Sequence, residues 1–200
     1  MIALIDYGAG NLTSVRKGFA AAGADLFTPA SPKDLVDARG IVVPGVGNFA
    51  ATAALEGEWS GAIRQAVDRG VPLLGICLGL QWLFEGSDEA PEVKGLGVIA
   101  GKCSRLPQED GLKVPHVGWN SLHKPHSSRL LQGVDENTQV YFTHSYAAPI
   151  TTEAAAICEH GTTFAAAVEA DHVFGVQFHP EKSGDAGIQI LRNFVATTRA

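Results

Sequence analysis

The chain has 200 residues, 46% of them hydrophobic, enough for one well-buried domain spanning residues 1–200. Its net charge of −6 comes without a cluster of Lys and Arg, which argues against a nucleic-acid partner, since phosphate neutralisation needs grouped cations. No apolar run approaches the roughly eighteen residues of a membrane span, and Met1 leads into "IALIDYG" without a basic leader, so a soluble, cytoplasmic protein is expected.

In chain order, the first half alternates strand-like and helix-like stretches. "IALIDY" is followed by a helix from Asn11 to about Ala22, then by "DLFTP" and "GIVVPG". A long helix running to about Gly70, interrupted near Gly57 and Gly61, precedes "VPLLGI" and a helix from Leu78. Asn11, behind two glycines, suits a tight turn with a helix N-cap. This alternation predicts an α/β fold, a doubly wound, flavodoxin-like, mostly parallel sheet. From Lys94 the character changes to "GLGVIAGKCSRL", "LKVPHVGWNSL", "QVYFTHSY", "EAAAICEHG", "TFAAAVEAD" and "HVFGVQFH", an antiparallel strand extension in the second half. Ser183 opens a closing helix with Ile188, Leu191, Phe194 and Val195 on one face.

The chemistry concentrates at three turns. In "VPLLGICLGLQ", Cys77 stands between Gly75 and Gly79 where a strand passes into a helix, the setting of a nucleophile elbow. Small neighbours permit the sharp turn, and a helix N-terminus would favour the thiolate. A buried packing thiol is the ordinary reading of a lone cysteine, but a nucleophile also needs a base and a group that orients it. "GVQFHPEKS" offers both, because Pro180 enforces a turn that can aim His179 and Glu181 at one point. The third turn, "VVPGVGNFA", loosely matches a dinucleotide-binding pattern. It lacks the acidic residue that pattern needs at the end of a second strand, since Asp68 falls inside a helix. A backbone oxyanion site facing the elbow is the alternative, and acyl chemistry requires one. Cys103 and Cys158 sit in alternating strand patterns as packing thiols, and three cysteines without framework spacing favour free thiols. His123 and His126 lack a third ligand, so no metal is expected.

These segments, with "DYGAGNL" at Asp6 to Leu12, "PGVG" at Pro44 to Gly47, "VPHVGWN" at Val114 to Asn120 and "YFTHSY" at Tyr141 to Tyr146, resemble the class I (triad) glutamine amidotransferases. Within them the chain is most similar to the glutaminase subunits of imidazole glycerol phosphate synthase. The resemblance runs almost end to end. It implies that Cys77 is the nucleophile, His179 the acid/base and Glu181 its orienter, with Val46 and Leu78 supplying oxyanion N–H groups. It also implies that Gly45, Gly47, Gln81 and Glu89 lie around the substrate glutamine, edged by backbone contacts of Ser145 and Tyr146. Read without the resemblance, "SDEAPE" around Glu89 is a solvated turn. No cofactor is implied. The implied partner is a (β/α)8-barrel cyclase that receives ammonia, with Asn11, Trp119 and Lys182 on the partner-facing surface. His116 departs from this pattern, standing where glutamine is more usual in the loop. Two other readings remain open on sequence: a stand-alone γ-glutamyl cysteine hydrolase, and a redox-sensing domain whose elbow cysteine oxidises.

Overall fold

The structure, a computed structural model, describes residues 1–108 and 111–199. Strand β1 (Ile2–Leu4) leads to helix α1 (Leu12–Ala21), followed by β2 (Leu26–Phe27), β3 (Gly40–Val43), helix α2 (Glu58–Asp68), β4 (Leu73–Ile76) and helix α3 (Leu78–Leu83). Short strands β5 (Gly86–Ser87) and β6 (Lys102–Arg105) precede β7 (His116–Ser121), β8 (Gln139–His144) and β9 (Tyr146–Ala147). Strands β10 (Ala154–Glu159), β11 (Thr163–Ala170) and β12 (Val173–Val176) and helix α4 (Gly184–Thr197) complete the fold.

A seven-stranded sheet in the order β10-β11-β12-β4-β3-β1-β2 forms the centre. Every pairing from β12 to β2 is parallel, and β10, β11 and β12 pair antiparallel at the other edge. The strand residues divide between the two faces with period two. Ile2, Leu4, Val42, Leu74 and Ile76 pack with Val15, Phe19, Leu191 and Phe194 of α1 and α4. Ala3, Ile5, Ile41, Val43 and Leu73 pack with Ile63 and Ala66 of α2 on the opposite side. Both faces are thus buried, the requirement of a parallel sheet. Phe19 and Phe194 meet edge to face with ring centroids 6.2 Å apart, and burying each such ring contributes on the order of 2–3 kcal/mol.

Several local expectations change. The expected antiparallel extension is present as β10, β11 and β12, but not every later strand joins it: β7 and β8 make a separate two-stranded ribbon, and β5, β6 and β9 a small three-stranded sheet. The stretch ahead of Gly70 is a 3-10 turn, Phe49–Leu55, then α2, broken at Gly57 with φ of 76°. Gly61 lies inside α2, so only Gly57 supplies the break. In α4 the fully buried isoleucine is Ile190, with Ile188 only partly buried. Among the described residues, no helix is long and apolar enough to cross a membrane.

Candidate active site

All three turns noted in the sequence follow the C-terminal ends of parallel strands: β3 enters "PGVG", β4 enters the elbow, and β12 enters the His-Pro-Glu turn. Ligands collect at that end of an open α/β sheet.

Cys77 occupies φ 54°, ψ −105°, a region that costs a non-glycine residue on the order of 1–3 kcal/mol. Its backbone is held on both sides, with its N–H donating to the Val176 carbonyl at 2.7 Å and its carbonyl accepting from Gln81 N–H at 3.2 Å. The flanking glycines are required by contact. A Cβ on Gly79 would lie 1.8 Å from the Val43 carbonyl oxygen, and one on Gly75 would lie 2.4 Å from that of Gly79. Strand and helix backbones therefore touch at the elbow, and Cys77 itself is 5% exposed. The helix behind it, α3, has six residues.

His179 is fixed with equal economy. His179 N–H donates to the Tyr141 carbonyl at 2.9 Å, and the Ser183 hydroxyl donates to the His179 carbonyl at 2.7 Å while accepting from Tyr141 N–H at 3.0 Å. His179 Nδ1 lies 2.8 Å from Glu181 Oε1, with both side chains almost wholly buried. Gly18 of α1 makes room for this turn, since a Cβ there would come 3.1 Å from that of Glu181. Burial opposes a charged imidazole, but the Cys77 thiol and the Glu181 carboxylate outweigh it and raise His179 from 6.5 to about 9. Its Nε2 is buried without a protein partner. A base oriented through one nitrogen and open at the other is what proton shuttling needs.

Gly47, Gln81, Glu89, Ser145 and Tyr146 line one polar cavity of about 270 Å³, joined by Pro115, Thr143 and His144. Thr143 connects it to the elbow, its carbonyl lying 3.8 Å from the Cys77 sulfur. A larger cavity of about 450 Å³ between Lys33 and Glu58 has no Cys or His in its lining, so chemistry rather than volume singles out the smaller one. Glu89 Oε2 accepts from Phe49 N–H at 2.7 Å, which places the carboxylate beside the "PGVG" turn. Asn11 caps α1 by accepting from Ser14 N–H at 3.1 Å. Trp119 and Lys182 are exposed, and both lie against the Tyr141 ring.

One placement departs from expectation. The Leu78 N–H is not open toward the cavity: it donates to the Gly45 carbonyl at 3.3 Å, so that carbonyl takes the donor an oxyanion would use. Val46, whose N–H belongs to the same peptide, is 38% exposed. The Tyr146 carbonyl already accepts from Gln81 Nε2 at 2.8 Å and is 2.9 Å from His144 Nδ1, so both of its lone pairs are engaged. His116 faces inward, 4% exposed, with Nδ1 3.0 Å from His144 Nε2 and Nε2 3.2 Å from Asn120 Nδ2. Because the Tyr146 carbonyl can only accept, His144 carries its proton on Nδ1, and the order Asn120 to His116 to His144 follows. Burial, and then repulsion from His160 stacked on its ring, lowers His116 to about 4; burial lowers His144 to about 3 against its bond to the Tyr146 carbonyl. Both are neutral.

A family model described as glutamine amidotransferase class-I matches residues 3–198. The chain belongs to this family. It is 47% identical to imidazole glycerol phosphate synthase subunit HisH of Methanothermobacter thermautotrophicus over the whole of both chains. It is 45% identical to the subunit of the same name from Moorella thermoacetica, over 96% of this chain and 93% of that one. A crystal structure of a glutamine amidotransferase shares the fold with a TM-score of 0.78 at 17% identity, covering all of both chains.

For a class-I amidotransferase, the residues that sequence reasoning missed are Gln177, His144 and Tyr7. Gln177 is fully buried, with Nε2 3.6 Å from the Cys77 sulfur and Oε1 3.1 Å from Gln81 Nε2. A glutamine facing inward from an otherwise apolar strand was the available signal, since a buried amide needs partners. The Tyr7 hydroxyl is buried without a partner, against the backbone of Gly45. Cys103 and Cys158 are buried free thiols that burial makes harder to ionise.

Proposed function

We propose that this chain is the glutaminase subunit of an imidazole glycerol phosphate synthase, hydrolysing glutamine to glutamate and ammonia for a barrel-shaped cyclase. The observation that carries the reaction is Cys77 on a glycine-locked elbow beside the buried His179–Glu181 pair, whose Nε2 has no other partner. The partner and the pathway rest on the full-length likeness to subunits of that name.

Cys77 thiolate attacks the side-chain carboxamide, and the tetrahedral oxyanion needs two N–H donors. His179, charged at neutral pH, protonates the departing ammonia. Water activated by the resulting neutral imidazole then releases glutamate from the thioester. Glu181 holds the imidazole in position and stabilises its charge. Glu89, with Gly47, Gln81 and the 145–146 edge, would receive the amino-acid end of glutamine, the carboxylate taking the α-ammonium.

The contact between Leu78 N–H and the Gly45 carbonyl supports a resting state without a complete oxyanion site. Turning over the Gly45–Val46 peptide would withdraw the carbonyl, free Leu78 N–H and deliver Val46 N–H. The barrel partner, docking on the surface of Asn11, Trp119 and Lys182, would select that turn. Ammonia would then form only when a cyclase is present.

The test is Cys77→Ser in complex with a barrel cyclase. Glutamine-dependent product should fall by at least about a thousandfold, while the reaction driven by added ammonium persists. Normal glutamine hydrolysis by the variant would remove Cys77 from the mechanism.

A further inference from the structure

We propose that Gln177 is a positioning residue of the thiol chemistry, its side-chain amide holding the Cys77 sulfur as a hydrogen-bond donor. The direction of the amide is set two hydrogen bonds away, by a backbone group. The Tyr146 carbonyl can only accept, so Gln81 must present Nε2 to it at 2.8 Å. The same nitrogen lies 3.1 Å from Gln177, and a donor there requires that Gln177 present Oε1. The other end of the Gln177 amide is then its NH2, 3.6 Å from the sulfur. The two amides are buried: Gln177 is 0% and Gln81 4% exposed.

The consequence is chemical. A neutral thiol facing an NH2 group gains little from it, whereas a thiolate receives a hydrogen bond to a full charge, the stronger kind. The titratable groups around the sulfur are His179, with Glu181 behind it, from the β12 turn, and Tyr7 from the β1 turn. Strand β8 brings the Thr143 carbonyl, an acceptor that suits the thiol and opposes the thiolate. Gln177 therefore offsets Thr143 and biases the elbow toward the nucleophilic form.

The role in turnover rests on the glutaminase reading, but the decisive measurement does not use glutamine. The isolated subunit is alkylated with iodoacetamide from pH 5 to 10, and the Cys77 adduct is quantified by peptide mass. Gln177→Met removes the donor at similar volume. Gln177→Glu keeps an acceptor for Gln81 but turns an anion toward the sulfur, and so remains informative if the Met variant does not fold. The midpoint of alkylation should rise by about half a unit to one unit in Gln177→Met and by more in Gln177→Glu. With the cyclase present, kcat for glutamine should fall roughly tenfold in Gln177→Met while KM stays within about threefold. Folded variants with an unchanged alkylation midpoint would overturn the proposal.

Discussion

The elbow at Gly75–Gly79 and the turn at Pro44–Asn48 face each other across the same site, yet they are built on opposite principles. At the elbow, added side-chain atoms on Gly75 or Gly79 would fall 2.4 Å or 1.8 Å from backbone oxygen. The other turn carries Gly47 at φ 102° with nothing within 4 Å of an added Cβ, and a partly exposed Val46. The Cys77 elbow is therefore packed at both of its glycines, whereas the other turn is packed at Gly45, against Tyr7 and Leu78, and open at Gly47.

The sharpest break of that contrast is a pair of matched substitutions. Gly79→Ala must displace backbone and should destabilise the fold by at least about 3 kcal/mol, lowering Tm by roughly 10 °C. Gly47→Ala meets open space and should cost only the about 1–2 kcal/mol of an unfavourable backbone conformation. Equal losses of Tm would erase the distinction between the two turns.

At the His-Pro-Glu turn, His179→Ala should reduce glutamine turnover by about 10²–10⁴-fold, and Glu181→Gln by less, because orientation is weakened while the base remains. Steady-state rates in the cyclase complex, with folding verified, decide it. A larger loss for Glu181→Gln would reverse the roles.

At the Pro44–Asn48 turn, Val46→Gly removes the β-branched cost of the turned-over peptide. A conformer disfavoured by about 1–3 kcal/mol gains roughly 5- to 150-fold in population when that cost is lifted. Basal glutaminase of the isolated subunit should rise within that range, and stimulation by the cyclase should shrink. Unchanged rates in both states would move the switch away from this peptide.

The smallest effect is on pH-dependent stability, and two histidine sets oppose each other. His179 is raised to about 9, so its contribution is complete below pH 6.5 and is lost as pH rises through 9. His116 and His144 are lowered to about 4 and about 3, so the unfolded chain takes up protons first and stability drops as pH falls below 6.5. Tm measured from pH 4 to 9 should therefore peak near neutrality. His116→Gln should flatten the acid limb and leave the alkaline limb, whereas His179→Ala should do the reverse.

What was legible in the sequence was local. The Cys77 elbow, the His-Pro-Glu turn and the Asn11 cap are written in neighbouring residues, because tight turns demand particular side chains. The parallel order of the first half followed from strand–helix alternation. Less legible was how the later strands are shared out. Alternation in "HVGWNS" and "TFAAAVEA" predicts a strand in each case but not its neighbours, and β7 belongs to a ribbon while β11 joins the main sheet. Gln177 and His144 escaped for the same reason. Their partners, Cys77 and Gln81 for one and His116 for the other, lie 28 to 100 residues away. The occupied Leu78 N–H was also invisible, since a peptide's orientation leaves no mark on composition or spacing.

The hydrogen bond between Leu78 and Gly45 separates two properties usually measured as one. Displacement of iodide by a thiolate builds no charge on a carbonyl oxygen, so an alkylating reagent has no use for the occupied donor. Glutamine does. A labelling assay would thus count the unpartnered subunit as fully competent, while a turnover assay of the same sample would count almost none of it. Electrophiles that mimic a halide reaction and those that mimic the amide should rank the free and assembled protein in different orders. Inhibitors selected on the isolated subunit by labelling alone would be chosen for the sulfur and not for the geometry that makes it an enzyme.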